Sequence, residues 1–408
     1  MNRREFLQST AVAAASGYVL LHMRAAHADL PKRPYLTWQN DPCTTMTVTF
    51  QTATAPKGVV VHYDTEPRGG EAGRHSFHAA GATTRVGGLA DGRSVNTAEL
   101  AGLRPGTRHY FVFEDETGRA SSEYCFDTIP DDGRPVSFVI GGDMGAGPRM
   151  RKLTDLAARQ DPLFCVVGGD IHYENGDIRE FQAVDDWLNM MAESLVGKGG
   201  RIVPMVLAIG NHEVSKDVGE SEPGERRAPF YYGFYPQGGK SHFSRRFGPN
   251  LAMVCLDSEH IVPVEAQTEW LKNTLQSYAD VPFVCPVYHV PMYPAHREFA
   301  GNVSMKERSL WQPLFEKHHV RVCFENHDHL FKRTKPLLNS EENPDGIVYL
   351  GDGCFGRDPR EVNEGNRWYL EKASQTAHFW TVTAEKGGIT CVATDEDGNE
   401  IDRWSKSL

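Results

Sequence analysis

The sequence predicts an α/β domain preceded by a small all-β sandwich domain, and two different residue patterns along the chain lead to this prediction. From about Tyr35 to Thr128, short runs of alternating polar and apolar residues are separated by turn formers, which is typical of an antiparallel sandwich. Beyond residue 135, apolar strands alternate with helical segments, which is the pattern of strands covered by helices. The segment IPDDGRP, residues 129–135, reads as the linker between the two parts.

Length, composition and charge narrow the class of protein. The chain has 408 residues, of which 40% are hydrophobic and 24% charged, so it can hold two domains with sizeable cores. Its formal net charge is -11, and residues 1–28 carry three arginines against one glutamate, so their loss would leave -13. An acidic surface repels phosphate backbones, so we expect no nucleic acid as a structural partner.

The amino terminus has the pattern of an export signal. The run NRREFL, residues 2–7, precedes an apolar stretch from Ala11 to Met23 and a small-x-small sequence, AHA, at residues 26–28. The apolar stretch is too short to span a bilayer. NRREFL resembles the twin-arginine motif, whose export machinery moves folded proteins. We therefore expect removal of residues 1–28, a periplasmic or secreted bacterial protein, and no membrane attachment afterwards; a cytoplasmic amphipathic helix is the alternative.

Residues 29–132 are the predicted sandwich domain. Four of its strands are predicted: TMTVTFQT (45–52), VVVHYDT (59–65), RHYFVFED (108–115) and SEYCFDT (122–128). Cys43 and Cys125 lie at opposite ends of this domain and are candidates for a disulfide. Other cysteines, such as Cys165 and Cys323, lie in apolar runs, where we expect small buried hydrophobes.

Residues 133–408 are the predicted α/β domain. Helical patterns mark four segments: Met150–Gln160, Ile178–Val196, Glu265–Ala279 and Lys306–His319. The closing runs AHFWTVTAE and GITCVATD predict a hairpin around residues 386–388, followed by a turn at DEDGNE. The segment 214–245 is long, charged and aromatic, and we expect it to shape the substrate entrance.

Five predicted strands of this domain end in side chains that can bind a metal. The strand ends are SFVIGGDMG with Asp143, LFCVVGGDIHY with Asp170 and Tyr173, PMVLAIGNHE with Asn211, PFVCPVYH with His289, and VRVCFENHDH with His327 and His329. Each end taken alone is also ordinary turn or helix-cap chemistry. Ligands of α/β sheets bind beyond the carboxyl ends of the strands, and five such ends in order favour a metal site.

The number and type of these donors suggest which metals they hold. Seven donors exceed the four of a structural zinc site and suit two ions that share a carboxylate. Imidazole with carboxylate favours Zn, Fe or Mn over Ca. A phenolate ligand requires a strong Lewis acid to displace its proton, so Tyr173 points to Fe(III). We expect Fe(III) together with a divalent Fe, Zn or Mn ion.

These motifs resemble, in order, those of purple acid phosphatases, a branch of the calcineurin-like metallophosphoesterases. Gly145, where most of that superfamily has a histidine, and Tyr173 are typical of the purple branch. The resemblance implies a metallophosphoesterase β-sandwich flanked by helices, and residues 29–132 are similar to the fibronectin-like domain that often precedes it. It further implies an Fe(III) ion held by Asp143, Tyr173 and His329. The divalent ion would be held by Asn211, His289 and His327, and Asp170 would bridge both ions.

One position departs from the family pattern. Asn326 stands where the last motif has glycine. Because asparagine tolerates left-handed backbone better than most residues, we expect the loop to keep its shape in this way.

The predicted function is metal-dependent hydrolysis of small phosphate monoesters, with attack of a metal-bound hydroxide on phosphorus. Two histidines are predicted to be catalytic. His212 would hydrogen-bond the phosphate, with Glu213 orienting its ring, and His296 would protonate the leaving oxygen. A phosphodiesterase or nucleotidase with the same site is one alternative, and a wall- or glycan-binding protein with a vestigial site is another.

Overall fold

The computed structural model describes residues 33–408, and the predicted export signal therefore lies outside the described part of the chain. Among these residues, no helix is both long enough and apolar enough to cross a membrane.

Within residues 33–128, the chain forms antiparallel strands: β1 (Tyr35–Thr37), β2 (Thr45–Thr52), β3 (Val60–Asp64), β4 (Phe77–Thr84), β5 (Ser94–Ala101), β6 (Arg108–Phe113) and β7 (Tyr124–Asp127). Strand β4 pairs with β3 through its first half and with β5 through its second half. The partner changes at Gly81, where a Cβ atom would lie 2.2 Å from the carbonyl oxygen of Thr97. The four predicted strands are present as β2, β3, β6 and β7, whereas β1, β4 and β5 were not predicted. The β4 sequence, FHAAGATT, is mostly exposed and does not alternate.

Cys43 and Cys125 do not form a disulfide. Throughout the described chain the cysteines are buried free thiols. The Cys43 sulfur lies 4.0 Å from the Pro130 carbonyl oxygen and the Cys125 sulfur lies 3.8 Å from that of Gly199, so the two face different neighbours.

Residues 136–407 contain the second domain's strands and helices. The strands are β8 (Val136–Gly141), β9 (Phe164–Val167), β10 (Val196–Gly197), β11 (Arg201–Ile202), β12 (Met205–Leu207), β13 (Phe243–Phe247), β14 (Leu251–Cys255), β15 (Phe283–Val287), β16 (Val322–Phe324), β17 (Phe331–Thr334), β18 (Leu337–Leu338), β19 (Glu341–Glu342), β20 (Val348–Gly351), β21 (Leu370–Ser374), β22 (His378–Glu385), β23 (Gly388–Asp395) and β24 (Glu400–Ser407). The helices are α1 (Pro148–Arg159), α2 (Phe181–Ser194), α3 (Gly224–Arg227), α4 (Pro229–Phe234), α5 (Val264–Ser277), α6 (Asn302–Leu310) and α7 (Gln312–Lys317).

Two mixed sheets of this domain pack face to face. In the described chain their strand orders are β12-β9-β8-β22-β23-β24 and β13-β14-β15-β16-β20-β17-β21. Aromatic rings fill the space between them: the Phe138 ring lies 4.9 Å from Phe164 and 6.2 Å from Phe324, and Phe164 lies 4.2 Å from Phe247. Helices α1 and α2 cover one outer face, and α5, α6 and α7 cover the other. The predicted sandwich flanked by helices is confirmed.

Parallel pairing brings the important strand ends to one edge. Strands β8, β9 and β12 run parallel in the first sheet, and β14, β15, β16 and β20 run parallel in the second. Their carboxyl ends therefore lie along the same edge of the sandwich.

One predicted helix differs in detail from the structure, and the last strand was not predicted. The predicted helix Lys306–His319 is split between α6 and α7, and Pro313 lies in the first turn of α7, where a missing N–H costs nothing. The predicted hairpin around residues 386–388 joins β22 to β23, and the DEDGNE turn then leads into β24, which was not predicted.

A buried ion pair connects the two domains. Arg93, just before β5, donates through Nη2 to Asp185 of α2 at 2.7 Å and through Nη1 to Gln51 of β2 at 2.9 Å. The side chains of Arg93 and Asp185 are 0% and 1% exposed. Asp91 also pairs with Arg93, so this guanidinium is fully engaged.

Candidate metal centre

Both sheets contribute side chains to one edge of the sandwich. In the first sheet, Asp143 follows β8, Asp170 and Tyr173 follow β9, and Asn211 follows β12. In the second sheet, His289 follows β15, and His327 and His329 follow β16. The site therefore forms only where the sheets meet.

Four of these residues form a tight cluster. The possible ligand atoms of Asp143, Asp170, His289 and His327 all lie within 4.8 Å of one another. Asp170 Oδ2 lies 3.2 Å from His289 Nε2, which in turn lies 3.0 Å from His327 Nδ1. Two imidazole nitrogens and a carboxylate oxygen thus converge at one point.

A second group adjoins this cluster through Asp143. His329 Nε2 lies 2.9 Å from Asp143 Oδ1. The Tyr173 hydroxyl lies 3.1 Å from the same nitrogen and 3.3 Å from the same oxygen. Carboxylate, phenol and imidazole donors therefore converge on this side.

The donor chemistry fits a pair of metal ions. The buried Oδ1 of Asn211 has no hydrogen-bond partner in the described chain, an expensive arrangement unless a ligand completes it. Together with the carboxylates, imidazoles and phenol, this amide oxygen gives the mixed oxygen and nitrogen set that suits Zn, Fe or Mn.

Five of the seven predicted ligands have left-handed backbone. Their φ angles are 55° for Asp143, 53° for Asp170, 69° for Tyr173, 78° for His327 and 55° for His329. This conformation is unfavourable for residues other than glycine and is concentrated at functional sites. These five residues therefore adopt an unfavourable backbone conformation that orients their side chains.

Electrostatics in the cluster favour a cation. Burial lowers the pKa of His289, but the charges of Asp170 and Asp143 outweigh it and raise the pKa to about 10. Burial and the same two carboxylates raise the pKa of Tyr173 far above 10, so this phenol keeps its proton unless a strong Lewis acid replaces it.

Glu213 has a different role from the one predicted. Its carboxylate accepts backbone N–H groups from Asp170 at 2.9 Å, Ile171 at 2.7 Å and Gly210 at 2.7 Å, and it makes no contact that orients His212. Glu213 instead hydrogen-bonds to the loop of Asp170 and to the loop of Gly210, and so holds these two loops together. The ring of His212 is oriented by Asn175, whose Oδ1 lies 2.5 Å from His212 Nδ1.

Asn326 keeps the loop in shape through its side chain. Its backbone is not left-handed, contrary to expectation. Its amide donates to the Tyr288 carbonyl at 3.0 Å and packs where Cβ atoms on Gly142 and Gly168 would collide with it, at 2.5 and 2.0 Å. The glycines that precede Asp143 and Asp170 thus make room for the asparagine.

His296 lies on a loop that is attached to the last ligand segment. Its N–H donates to Asp328, between His327 and His329, at 2.7 Å, and its Nδ1 lies 2.8 Å from the Glu361 carbonyl oxygen. No metal ligand touches its ring among residues 33–408, so its role as an acid stays a prediction.

Sequence reasoning missed three residues of the site. Besides Asn175, these are His260, whose ring centroid lies 5.5 Å from that of His289, and Arg357, whose guanidinium lies 4.1 Å from the Tyr173 ring centroid. None lies at the end of a predicted strand, and no motif marks them. Burial lowers the pKa of His260 to about 3, so its imidazole is neutral.

Comparisons with known families agree with this geometry. The family "Purple acid Phosphatase, N-terminal domain" matches residues 31–128, and "Calcineurin-like phosphoesterase" matches residues 137–331. Purple acid phosphatase 21 of Arabidopsis thaliana is 24% identical over 281 residues, which cover 64% of this chain and 58% of that protein. The Fe(3+)-Zn(2+) purple acid phosphatase 12 of the same plant is 23% identical, covering 60% of this chain and 56% of that protein. The chain thus spans little more than half the length of these relatives.

Solved structures share the fold. Purple acid phosphatase PPD1 from yellow lupin (Lupinus luteus) seeds superimposes with a TM-score of 0.73 at 18% identity, covering 92% of this chain and 74% of that chain. PhoD superimposes with a TM-score of 0.66 at 12% identity, covering 93% and 89%. At such identities the likeness establishes the fold.

Proposed function

Because the chain joins a purple acid phosphatase N-terminal domain to a calcineurin-like phosphoesterase domain, we propose that it hydrolyses phosphate monoesters at a binuclear metal centre. The observation that carries this proposal is the convergence of Asp143, Asp170, His289 and His327, with ligand atoms all within 4.8 Å. Carboxylates and histidines of two sheets have no structural reason to crowd together in this way, because their buried charges are costly without a cation.

The same seven donors divide into two sets. We assign Fe(III) to Asp143, Tyr173 and His329, a divalent ion to Asn211, His289 and His327, and a shared position to Asp170. A relative named as an Fe(3+)-Zn(2+) enzyme supports a mixed pair, with zinc, iron or manganese as the divalent ion.

The bound ions would supply Lewis acidity to the phosphate oxygens and a water of lowered pKa, about 7. The chain's own residues do the rest. The His212 side chain is 31% exposed; its Nδ1 lies 2.5 Å from Asn175 Oδ1, and its Nε2 lies 3.9 Å from Asp170 Oδ2. With Nδ1–H donating to Asn175, the protonated ring can donate from Nε2 to a phosphate oxygen. Glu213 holds the loops of Asp170 and Gly210 so that this geometry is formed before substrate arrives.

Metal analysis combined with a two-substrate assay tests the proposal. The purified protein should contain two metal ions per chain and hydrolyse p-nitrophenyl phosphate faster than bis(p-nitrophenyl) phosphate. Asp170→Asn should lose both metals and activity, whereas the exposed control His78→Ala should keep both.

Other outcomes point to the alternatives. Faster turnover of the bis ester would indicate a phosphodiesterase. A wild-type protein with neither metal nor turnover would revive the wall- or glycan-binding interpretation with a vestigial site.

We also propose residue limits of 29–132 and 133–408 for the two domains, a fibronectin-like character for the first, and export through the twin-arginine machinery to the periplasm or beyond. Changing Arg3 and Arg4 to lysine should leave the precursor in the cytoplasm. Normal accumulation of this variant outside the cytoplasm would refute the route.

A further inference from the structure

Among residues 33–408, the guanidinium of Arg357 has no polar partner, and it lies beside the candidate metal centre. Its backbone N–H donates to the carbonyl oxygen of Asp143 at 3.1 Å, which anchors it next to a predicted ligand. Within the described chain, no carboxylate or carbonyl oxygen accepts a hydrogen bond from its guanidinium, and the neighbouring Asp358 pairs with Arg149 instead. Arg357 is exposed, so its N–H donors are available to a ligand at the open side of the site.

Tyr173 and Gly145 determine where this guanidinium lies. Its central carbon is 4.1 Å from the Tyr173 ring centroid, and the His212 ring lies 4.3 Å from the same centroid. The Tyr173 ring is therefore in contact with both an imidazole and a guanidinium. A Cβ atom on Gly145 would already lie 3.4 Å from Arg357 Nη1, so a larger side chain there would occupy the guanidinium's space.

We propose that Arg357 binds a phosphate oxygen of the substrate and makes the site prefer monoesters to diesters. This inference rests on the proposed function and refines it. A guanidinium matches phosphate oxygens with a fork of donors and keeps its charge. A phosphate monoester is mostly a dianion above pH about 6, whereas a diester carries one charge, so a fixed positive charge favours the monoester. Stacking on Tyr173 reduces the conformational freedom that Arg357 loses on binding.

Three variants test this proposal. Arg357→Met removes the charge but keeps the length, Arg357→Lys keeps the charge but not the fork, and Arg403→Met is a control on exposed β24, where Arg403 pairs with Glu400. We expect Arg357→Met to lower kcat/KM for p-nitrophenyl phosphate about 10- to 100-fold, as for other charged hydrogen bonds, with a much smaller loss on the bis ester. The kcat/KM of Arg357→Lys should lie between those of the wild type and Arg357→Met, and the kcat/KM of the control should match that of the wild type.

Binding of inorganic phosphate provides a measurement that does not depend on turnover. Calorimetry on each purified, metal-containing protein should show phosphate affinity reduced about 10-fold or more in Arg357→Met, with metal content and visible spectrum unchanged. Unchanged phosphate affinity would overturn the proposal, and so would equal losses on both esters, which would assign Arg357 to the support of Tyr173. If the wild type hydrolysed neither ester, the proposed function would fail, and calorimetry would still decide whether Arg357 binds phosphate.

Discussion

Tyr173 distinguishes the candidate metal centre from a zinc site, because it adds a phenol to the carboxylate and imidazole donors. Its hydroxyl lies 3.3 Å from Asp143 and 3.1 Å from His329, and its ring is in contact with His212 and Arg357. Burial and two carboxylates hold the phenol protonated in the metal-free protein. Ionisation of Tyr173 would therefore report on a metal ion bound at this position.

We predict that Tyr173→Phe abolishes a visible phenolate-to-iron absorption band of the purified protein. The band requires a phenolate on Fe(III), and phenylalanine cannot supply one. Absorption spectra with iron analysis make the measurement, and Tyr63→Phe, on the amino-terminal sheet, should keep the band. A colourless, active wild type with only zinc or manganese would refute the ferric assignment and leave the binuclear one standing.

His296 gives a second prediction for a single residue. The Asp328 carboxylate accepts the backbone N–H of His296 and places its loop beside His327 and His329, and we predict that the His296 imidazole acts on the leaving group. A protonated imidazole can donate to a departing alkoxide, and general-acid catalysis typically contributes about 10²–10⁴-fold. His296→Ala should therefore lose activity steeply on alkyl phosphates and far less on p-nitrophenyl phosphate, whose phenolate leaves unaided.

Steady-state kinetics on both substrates decide the role of His296. Equal losses of activity on both substrates would indicate that His296 binds phosphate. No loss of activity on either would show that His296 is a surface residue without a catalytic role.

At the scale of the elements, the buried ammonium group of Lys332 connects strands β16, β17 and β20 beneath the site. Lys332 of β17 donates to Glu325, after β16, at 2.5 Å and lies 3.2 Å from Asp352, after β20. It also donates to the Tyr293 carbonyl at 2.6 Å, on the loop that carries His296. Burial opposes its charge, but Asp352 and Glu325 outweigh burial and raise the pKa of Lys332 above its usual value.

We predict that Lys332→Met lowers the free energy of unfolding by about 3–5 kcal/mol at pH 7, because two buried carboxylates lose their partner. Burial already raises the pKa of Asp352 above 3.8, and removing the lysine raises it further. The variant's native state then binds protons that the unfolded state does not, so its deficit should shrink as pH falls toward 4. Urea denaturation at several pH values measures this, with the exposed Lys152→Met as control. A deficit independent of pH would contradict the explanation.

For the whole molecule, the contact between the two domains includes the buried ion pair of Arg93 with Asp185. This arginine lies on the amino-terminal domain, and its partner Asp185 lies on α2, directly behind the β9 strand that leads to Asp170 and Tyr173. Because both side chains are buried, removing one leaves an uncompensated charge in the interface.

We predict that Arg93→Met destabilises the protein by about 3–5 kcal/mol and separates the unfolding of the two domains. Scanning calorimetry should show one transition for the wild type and two for the variant. Arg403→Met, at an exposed pair, should change stability by less than about 1 kcal/mol. A single transition at nearly wild-type temperature in Arg93→Met would show that apolar packing alone joins the domains.

The sequence alone predicted most of the architecture and the candidate donors, because both follow from local pattern. Alternating runs predicted β2, β3, β6 and β7, and apolar runs ending in polar residues predicted the strands before Asp143, Asp170 and His289. A strand's position and the residue at its end are properties of a few neighbouring residues. The same local reasoning could not detect β4, which is exposed and lacks alternation.

Only the tertiary structure decided which groups support those donors. Glu213 binds loop N–H groups instead of His212, Asn175 takes its place, and the Asn326 amide fills the space above two glycines. Arg357 reaches Tyr173 from a segment far along the chain. Each of these contacts depends on how two sheets and their loops pack, and packing brings together residues whose spacing in sequence carries no period or motif.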